Sequence, residues 1–297
     1  MRVTSNSFPD NLVGHLQRLT GRMNTLQEQT ATGQRINDPS DDPSAAVRVI
    51  NYKGERSSIA QYYRNAQRAD DIITASTAEV RNIFSVSSRA NEIVSLTSDI
   101  LGPDAMDAYA IEIDALLEQA LVNANSNFNG EPLFGGTGAA QRPYEAVRDA
   151  DGRITGINFI GSTTTARFQV AEGNVVSPYA TPQTSQNIRD FLQNLVSFRD
   201  ALASGVDANV KAQAPALQNS EDALIGAISG LGALQARIEV DMAQNSTRFS
   251  ELAEQISREA DVDLAQAVVK LSQNQTAYQA ALMSAGKVLD KSLLDYL

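Results

Sequence analysis

Leu12, Leu16, Leu19, Met23 and Leu26 are spaced 4, 3, 4 and 3 residues apart. Apolar side chains at that spacing line one narrow stripe of an α-helix, the seam of a coiled coil. Gln17, Arg18, Arg22, Gln27 and Glu28 cover the other faces. The far end of the chain repeats the pattern. Leu264, Val268, Leu271, Gln275, Tyr278, Leu282, Ala285 and Leu289 follow at 4, 3, 4, 3, 4, 3 and 4. A stripe this narrow makes no core by itself, so each terminal helix requires a partner. The chain must therefore set long helices side by side, pairing its two ends with each other and with further copies.

The interior is helical on both sides of a different texture. Val47, Ile50, Ile59, Tyr63, Ile73, Val80, Ile83 and Ile93 predict one long helix, broken at Gly102-Pro103-Asp104. Met106, Tyr109, Ile113, Leu117 and Leu121 predict a second, folded back on the first as an antiparallel hairpin. Ile188 to Phe198 predicts another helix. Leu217, Leu224, Ile228, Leu231, Ile238, Met242, Asn245, Phe249, Leu252 and Ile256 then sustain heptads over one very long helix. Gly33 is placed to end the first terminal helix in the left-handed conformation, and Asp42 with Pro43 to cap and start the next. From Asn125 to Thr184 glycines become frequent. Asp151-Gly152 is a two-residue hairpin signal between Tyr144–Arg148 and Arg153–Ile160, and Thr165–Val170 alternates as a strand does. The expected fold is mainly α: a long antiparallel helix bundle with coiled-coil-like termini and a small β-rich insert. Residues 1–40 and 262–297 are the paired terminal helices, 41–135 and 183–261 the helical body, and 136–182 the insert.

Chemistry finds little purchase. A formal net charge of −11 gains nothing from the counterions around a nucleic acid or an anionic bilayer, so neither is an expected partner. There is no cysteine, which excludes disulfides and thiolate ligands. No run approaches eighteen consecutive apolar residues, so no membrane span is expected. Met1–Asp10 lacks a basic start followed by an apolar run, so a cleaved signal peptide is not expected either. The single histidine, His15, has no carboxylate partner nearby in sequence and reads as an ordinary helical residue. Asp38, Asp41 and Asp42 lack the alternating oxygens and closing glutamate of a calcium loop, and helix capping accounts for them. Gly135-Gly136-Thr137-Gly138 lacks the lysine of a phosphate loop and reads as a turn. No catalytic, metal or cofactor site is expected, and no enzyme activity.

The segment Ala31-Thr32-Gly33-Gln34-Arg35-Ile36-Asn37-Asp38-Pro39-Ser40-Asp41-Asp42-Pro43 resembles the N-terminal signature of bacterial flagellins and their junction relatives. The Pro39–Pro43 form of the turn is similar to the hook–filament junction branch. So are Phe128-Asn129-Gly130 with Leu133-Phe134-Gly135-Gly136-Thr137, and the ending Ser292-Leu293-Leu294-Asp295-Tyr296-Leu297. Ala260–Ala265 and Leu271–Thr276 agree with it too. The signature positions are Gly33, Arg35, Asn37, Pro39, Asp41, Asp42 and Pro43. The resemblance implies a structural protein of the bacterial flagellum, handled by an export chaperone and leaving through the export apparatus with its N-terminal region as uncleaved signal. It implies an extracellular ring of identical subunits joining hook-associated protein 1 to flagellin. Helix packing would rest on Leu12, Leu16, Leu19, Met23 and Leu26 against Leu264, Val268, Leu271, Tyr278, Leu282 and Leu289. The same nested layout fits flagellin, the filament subunit, and more distantly an intracellular coiled-coil adaptor.

Overall fold

A computed structural model of the chain describes residues 7–97, 102–137 and 142–294. Among the described residues, six helices carry the fold. They are α1 (Ser7–Thr32), α2 (Pro43–Thr97), α3 (Pro103–Ala124), α4 (Pro182–Ala203), α5 (Asp207–Ala260) and α6 (Leu264–Leu294). Between α3 and α4 lie three antiparallel ribbons of two strands each: β1 (Asn127–Phe128) with β2 (Glu131–Pro132), β3 (Tyr144–Arg148) with β4 (Ile154–Phe159), and β5 (Phe168–Ala171) with β6 (Asn174–Val176). The mainly α architecture with a small β insert is thus the observed one. The chain divides into two compact units, one of residues 1–58 and 248–297, the other of 59–247. Helix breaks in the sequence put these borders at 40 and 262 instead, and give 136–182 a domain of its own.

The larger unit shows why the strands do not stand apart. Its single core joins Ile73, Val80, Ile83 and Ile93 of α2, Ile113 and Leu117 of α3, Phe191, Leu195 and Phe198 of α4, and Leu217, Leu224 and Leu231 of α5. Tyr144, Ile154, Ile157, Val170 and Val176 of the ribbons belong to the same cluster. Two-stranded ribbons are marginal alone and expose unpaired edges. Here helix amides satisfy them. Asn125 bonds both the amide and the carbonyl of Tyr144, at 3.0 and 2.9 Å. Gln193 accepts from the Ile157 amide, while Asn65 and Asn245 donate to the Gln169 and Val170 carbonyls, each at 2.8 Å. Tyr144 adds a buried hydroxyl bond to the Ser185 carbonyl, and burial pushes that phenol well above its ordinary range. Within this unit α3 lies against α2, as the sequence pattern predicts, with Arg89 bonded to Glu112 at 2.6 Å, and it packs closely on α4 as well.

Turn chemistry fixes the ribbons. Gly152 (φ 82°) lies in the β3–β4 hairpin, but the turn is longer than the two-residue form its Asp-Gly pair predicts: the Asp149 amide bonds the Arg153 carbonyl at 3.0 Å, the Gly152 amide bonds the Asp149 carbonyl at 3.1 Å, and Asp151 is not left-handed. Asn129 and Gly130 (φ 52° and 83°) are both left-handed and close β1–β2 as a two-residue turn, an Asn-Gly hairpin signal that strand alternation alone does not reveal. Gly136 (φ 64°) is pressed on the next loop: an added Cβ would meet the Ser162 carbonyl oxygen at 2.3 Å. The residue that looked like a phosphate-loop glycine is a close-approach position.

Among the described residues of this unit, one charged side chain is fully buried. The Arg199 side chain is 1% exposed, with Nη1 bonded to Asp114 at 2.7 Å and Nη2 to Asp200 at 2.7 Å. One 18-residue window of α5 reaches a mean hydropathy of 1.3, enough by length and composition for a bilayer, although no consecutive apolar run predicts it. Leu217, Leu224, Leu231 and Ile238 of that helix are buried in protein.

Two outcomes follow in urea unfolding of the whole chain. Asp114→Ala leaves Nη1 of a buried guanidinium unpaired, with Asp200 its one remaining carboxylate, and should lower stability by about 2–3 kcal/mol, more than Arg199→Met, which removes the charge and keeps the stem. Gly136→Ala should cost at least ~2 kcal/mol, since both its φ and its neighbours oppose a side chain; an unchanged midpoint would contradict the close approach.

Candidate assembly site

The smaller unit is built on the crossing where the chain passes from α1 to α2 and from α5 to α6. Gly33 (φ 73°) ends α1, its amide bonded back to the Gln29 carbonyl at 2.9 Å. The chain then runs antiparallel to the α5–α6 link for a few residues. The Arg35 amide donates to the Ala260 carbonyl at 2.6 Å and the Val262 amide to the Gly33 carbonyl at 3.0 Å. The Arg35 side chain ties both passages, with Nη2 on the Glu259 carbonyl at 2.7 Å and Nη1 on the Asp42 carboxylate at 3.3 Å. Gln29 closes over the Arg35 carbonyl from the last turn of α1.

The acidic turn is a capping device. The Asp41 carboxylate accepts from the Asn37 and Asp38 amides, and Asp42 accepts from the Ala45 amide at 3.1 Å and the Ser44 hydroxyl at 2.9 Å. These bonds, the Ala45 amide first, hold the Asp42 carboxyl below the usual range. Pro39 lies exposed in the turn and Pro43 opens α2 at its first residue. One turn into α2, Arg48 takes both carboxylate oxygens of Glu259, at 3.1 and 2.8 Å. That pairing lowers the Glu259 pKa and raises that of Arg48. Val49, Tyr52, Ile256 and Ala260 pack beneath it. Farther along, Arg248 bonds Glu55, and the Arg56 guanidinium sits 5.5 Å over the half-exposed Phe249 ring.

Beyond the crossing, α1 and α6 lie antiparallel: 14 residues back from Gly33, the Leu19 carbonyl accepts from Asn274 at 2.9 Å. The α1 stripe faces α6. Leu19 is buried, and Leu12, Leu16, Met23 and Leu26 are half-buried. On α6 the residues turned inward are Ala267, Leu271, Asn274, Tyr278, Ala281 and Ala285, again spaced 4, 3, 4, 3 and 4. Leu271 and Tyr278 thus lie in the contact. Leu264, Val268 and Leu282 do not, being 50%, 54% and 45% exposed, and Val269 and Met283 are open beside them. Leu289 falls in α6, but its side chain lies outside the described residues. Sequence reasoning therefore found α6 and missed Ala267, Asn274 and Ala281, because a search for large apolar residues outweighs alanine and never selects asparagine.

The choice of face has an energetic sense. Burying a valine or leucine is worth about 1.5–3 kcal/mol, an alanine far less. The bond from Asn274 returns about 0.5–1.5 kcal/mol. Pairing with α1 therefore leaves the larger share of α6's apolar surface uncovered. Beside Leu19 and Leu26 a groove of about 830 Å³ remains, edged by Arg18, Arg22 and Lys270.

Comparison with known proteins agrees with this layout. Residues 5–139 match the bacterial flagellin N-terminal helical region and residues 210–297 the bacterial flagellin C-terminal helical region. The β3–β6 ribbons and α4 lie outside both matches. The chain is 20% identical to flagellar hook-associated protein 3 of Salmonella typhimurium, over 95% of each. It is 22% identical to Bacillus subtilis flagellin, over 95% of this chain and 94% of that protein. A putative flagellar hook-associated protein from Vibrio parahaemolyticus shares the fold, with a TM-score of 0.65 at 16% identity over 74% of this chain and all of that one. Bacillus cereus FlgL does so with a TM-score of 0.59 at 16% identity, over 70% and 99%. With both terminal regions matched around one clasped crossing, the chain belongs to the flagellin superfamily and is a structural protein of the bacterial flagellum, similar to hook-associated protein 3.

Proposed function

We propose that the chain forms the hook–filament junction: a ring of identical subunits that joins hook-associated protein 1 to flagellin, held by its terminal helices. The observation that carries the reading is the uncovered face of α6, where Leu264, Val268, Val269, Leu282 and Met283 stay open after α1 has paired. A second copy is the natural occupant. Residues 1–32 and 264–297 carry six Lys/Arg against four Asp/Glu, whereas residues 33–263 carry 18 against 31. Acidic bodies repel one another, and near-neutral terminal helices can meet. The junction form of the Pro39–Pro43 turn and the ending Ser292–Leu297 support this branch over filament flagellin. Export through the flagellar apparatus as an uncleaved, chaperone-held chain and an extracellular final location belong to the same reading. Catalysis has no part in it.

Filament flagellin is the second reading, favoured by the similar identity to the Bacillus subtilis protein. Labelling of intact flagella separates the two: antibody against this chain should mark a single band at the hook end of the filament, and signal along the whole filament would support flagellin. The interface has its own assay. Val268→Glu with Leu282→Glu should leave the monomer helical, as both side chains already face water, and should abolish incorporation into flagella. Flagella carrying the double variant at normal levels would exclude this face. Removal of residues 1–30 or 265–297 should leave a soluble, largely helical monomer that joins neither hook nor filament, and normal motility from either truncation would defeat the terminal-helix mechanism.

A further inference from the structure

The α6 helix has two seams that overlap. Leu271, Tyr278 and Ala285 serve both; Ala267, Asn274 and Ala281 complete one, and Val268, Gln275 and Leu282 the other. At 100° per residue the centres of these faces differ by a roll of roughly 50° about the helix axis. The second face is the more apolar, yet α1 takes the first. We propose that Asn274 is the residue that makes this choice, a positioning residue that commits the small-residue face of α6 to α1 and so keeps Val268 and Leu282 outward.

The geometry ties the bond to the roll. Asn274 reaches the Leu19 carbonyl at 2.9 Å in the middle of the described contact. That carbonyl lies inside α1 and uses a second lone pair for the side-chain amide. Rolling α6 by roughly 50° toward Val268 swings Asn274 off α1 and breaks the bond, giving up a contact-side acceptor for water. A polar residue in a seam costs stability and fixes register and partner. Ala267 and Ala281 on either side fit the choice. They are shallow enough to receive the large α1 knobs Leu26 and Leu12, which the antiparallel register set by Leu19 and Asn274 brings level with them.

This inference concerns pairing within one chain and stands apart from the ring proposed above, so it is tested on the isolated protein. The chain contains no cysteine, so the single substitutions Ala267→Cys and Val268→Cys, made one at a time, report each face by thiol-labelling rate. With Asn274 present, the thiol at position 268 should label at least ~10-fold faster than the thiol at position 267, in line with the burial of these positions. In Asn274→Leu the roll should slow labelling at position 268 at least ~5-fold and speed it at position 267, with helix content unchanged. Asn274→Gln, which keeps the donor, should restore the original order. Protection of position 268 is the decisive signal, because melting of the pair would make both positions fast. Asn274→Ala, which cannot overpack the seam, is read in the same way. If neither variant protects position 268, whether the rates stay as they were or both become fast, Asn274 does not select the face. Failure here would leave the ring untouched, since that rests on the Val268/Leu282 variants in assembled flagella.

Discussion

The short antiparallel clasp between Gly33–Arg35 and Glu259–Val262 is the constraint on which the rest of the smaller unit depends. Two backbone hydrogen bonds and one guanidinium hold together passages 224 residues apart in sequence. Without it, α1 and α6 are single helices with one narrow apolar stripe each, and helices of that kind are marginal in water. With it, their ends start side by side and the seam needs only to close outward from the crossing. Arg35 suits the task because a planar fork can serve a backbone carbonyl and a carboxylate at once. Gly33 suits it because the chain must turn through a left-handed conformation directly after Thr32.

Much of this was legible in the sequence, and the limits have physical causes. The five α1 residues were found because large apolar side chains at heptad spacing have one way to lie on a helix. Gly33 and Asp42 were found because turn and cap chemistry is local. The face of α6 was not, since two registers fit its sequence and a hydrogen bond to a carbonyl on α1 separates them. Alternation identified β3 and much of β4 and β5, but no local signal says that Asn65, Asn125, Gln193 and Asn245 finish their edges. Those contacts span up to 104 residues and make the strands part of the helical core. The two compact units have borders other than the helix breaks suggest, for a related reason. Helix breaks are the local signal for a border, whereas the compact units divide within α2 and α5, where hydrophobic periodicity runs on.

The two units use different means to settle their polar groups. The larger hides its arginine and its ribbon edges behind specific partners, so removing one partner leaves another group unsatisfied. The smaller keeps its ion pairs near the surface, where Arg48–Glu259 and Arg248–Glu55 orient the helices more than they stabilise them. A body that buries its polar groups and a helix pair that leaves one face of α6 exposed reach these opposite solutions.

The clasp also sets an order of events. A chain that appears from its N-terminus presents Leu12, Leu16, Leu19, Met23 and Leu26 long before Glu259 and Val262 exist to receive Arg35. The residues of the larger unit, 59–247, are complete by then and have their own core. Helix α1, which precedes the whole of the larger unit, is thus among the last elements to find its place, and for most of the chain's emergence its leucines are without α6.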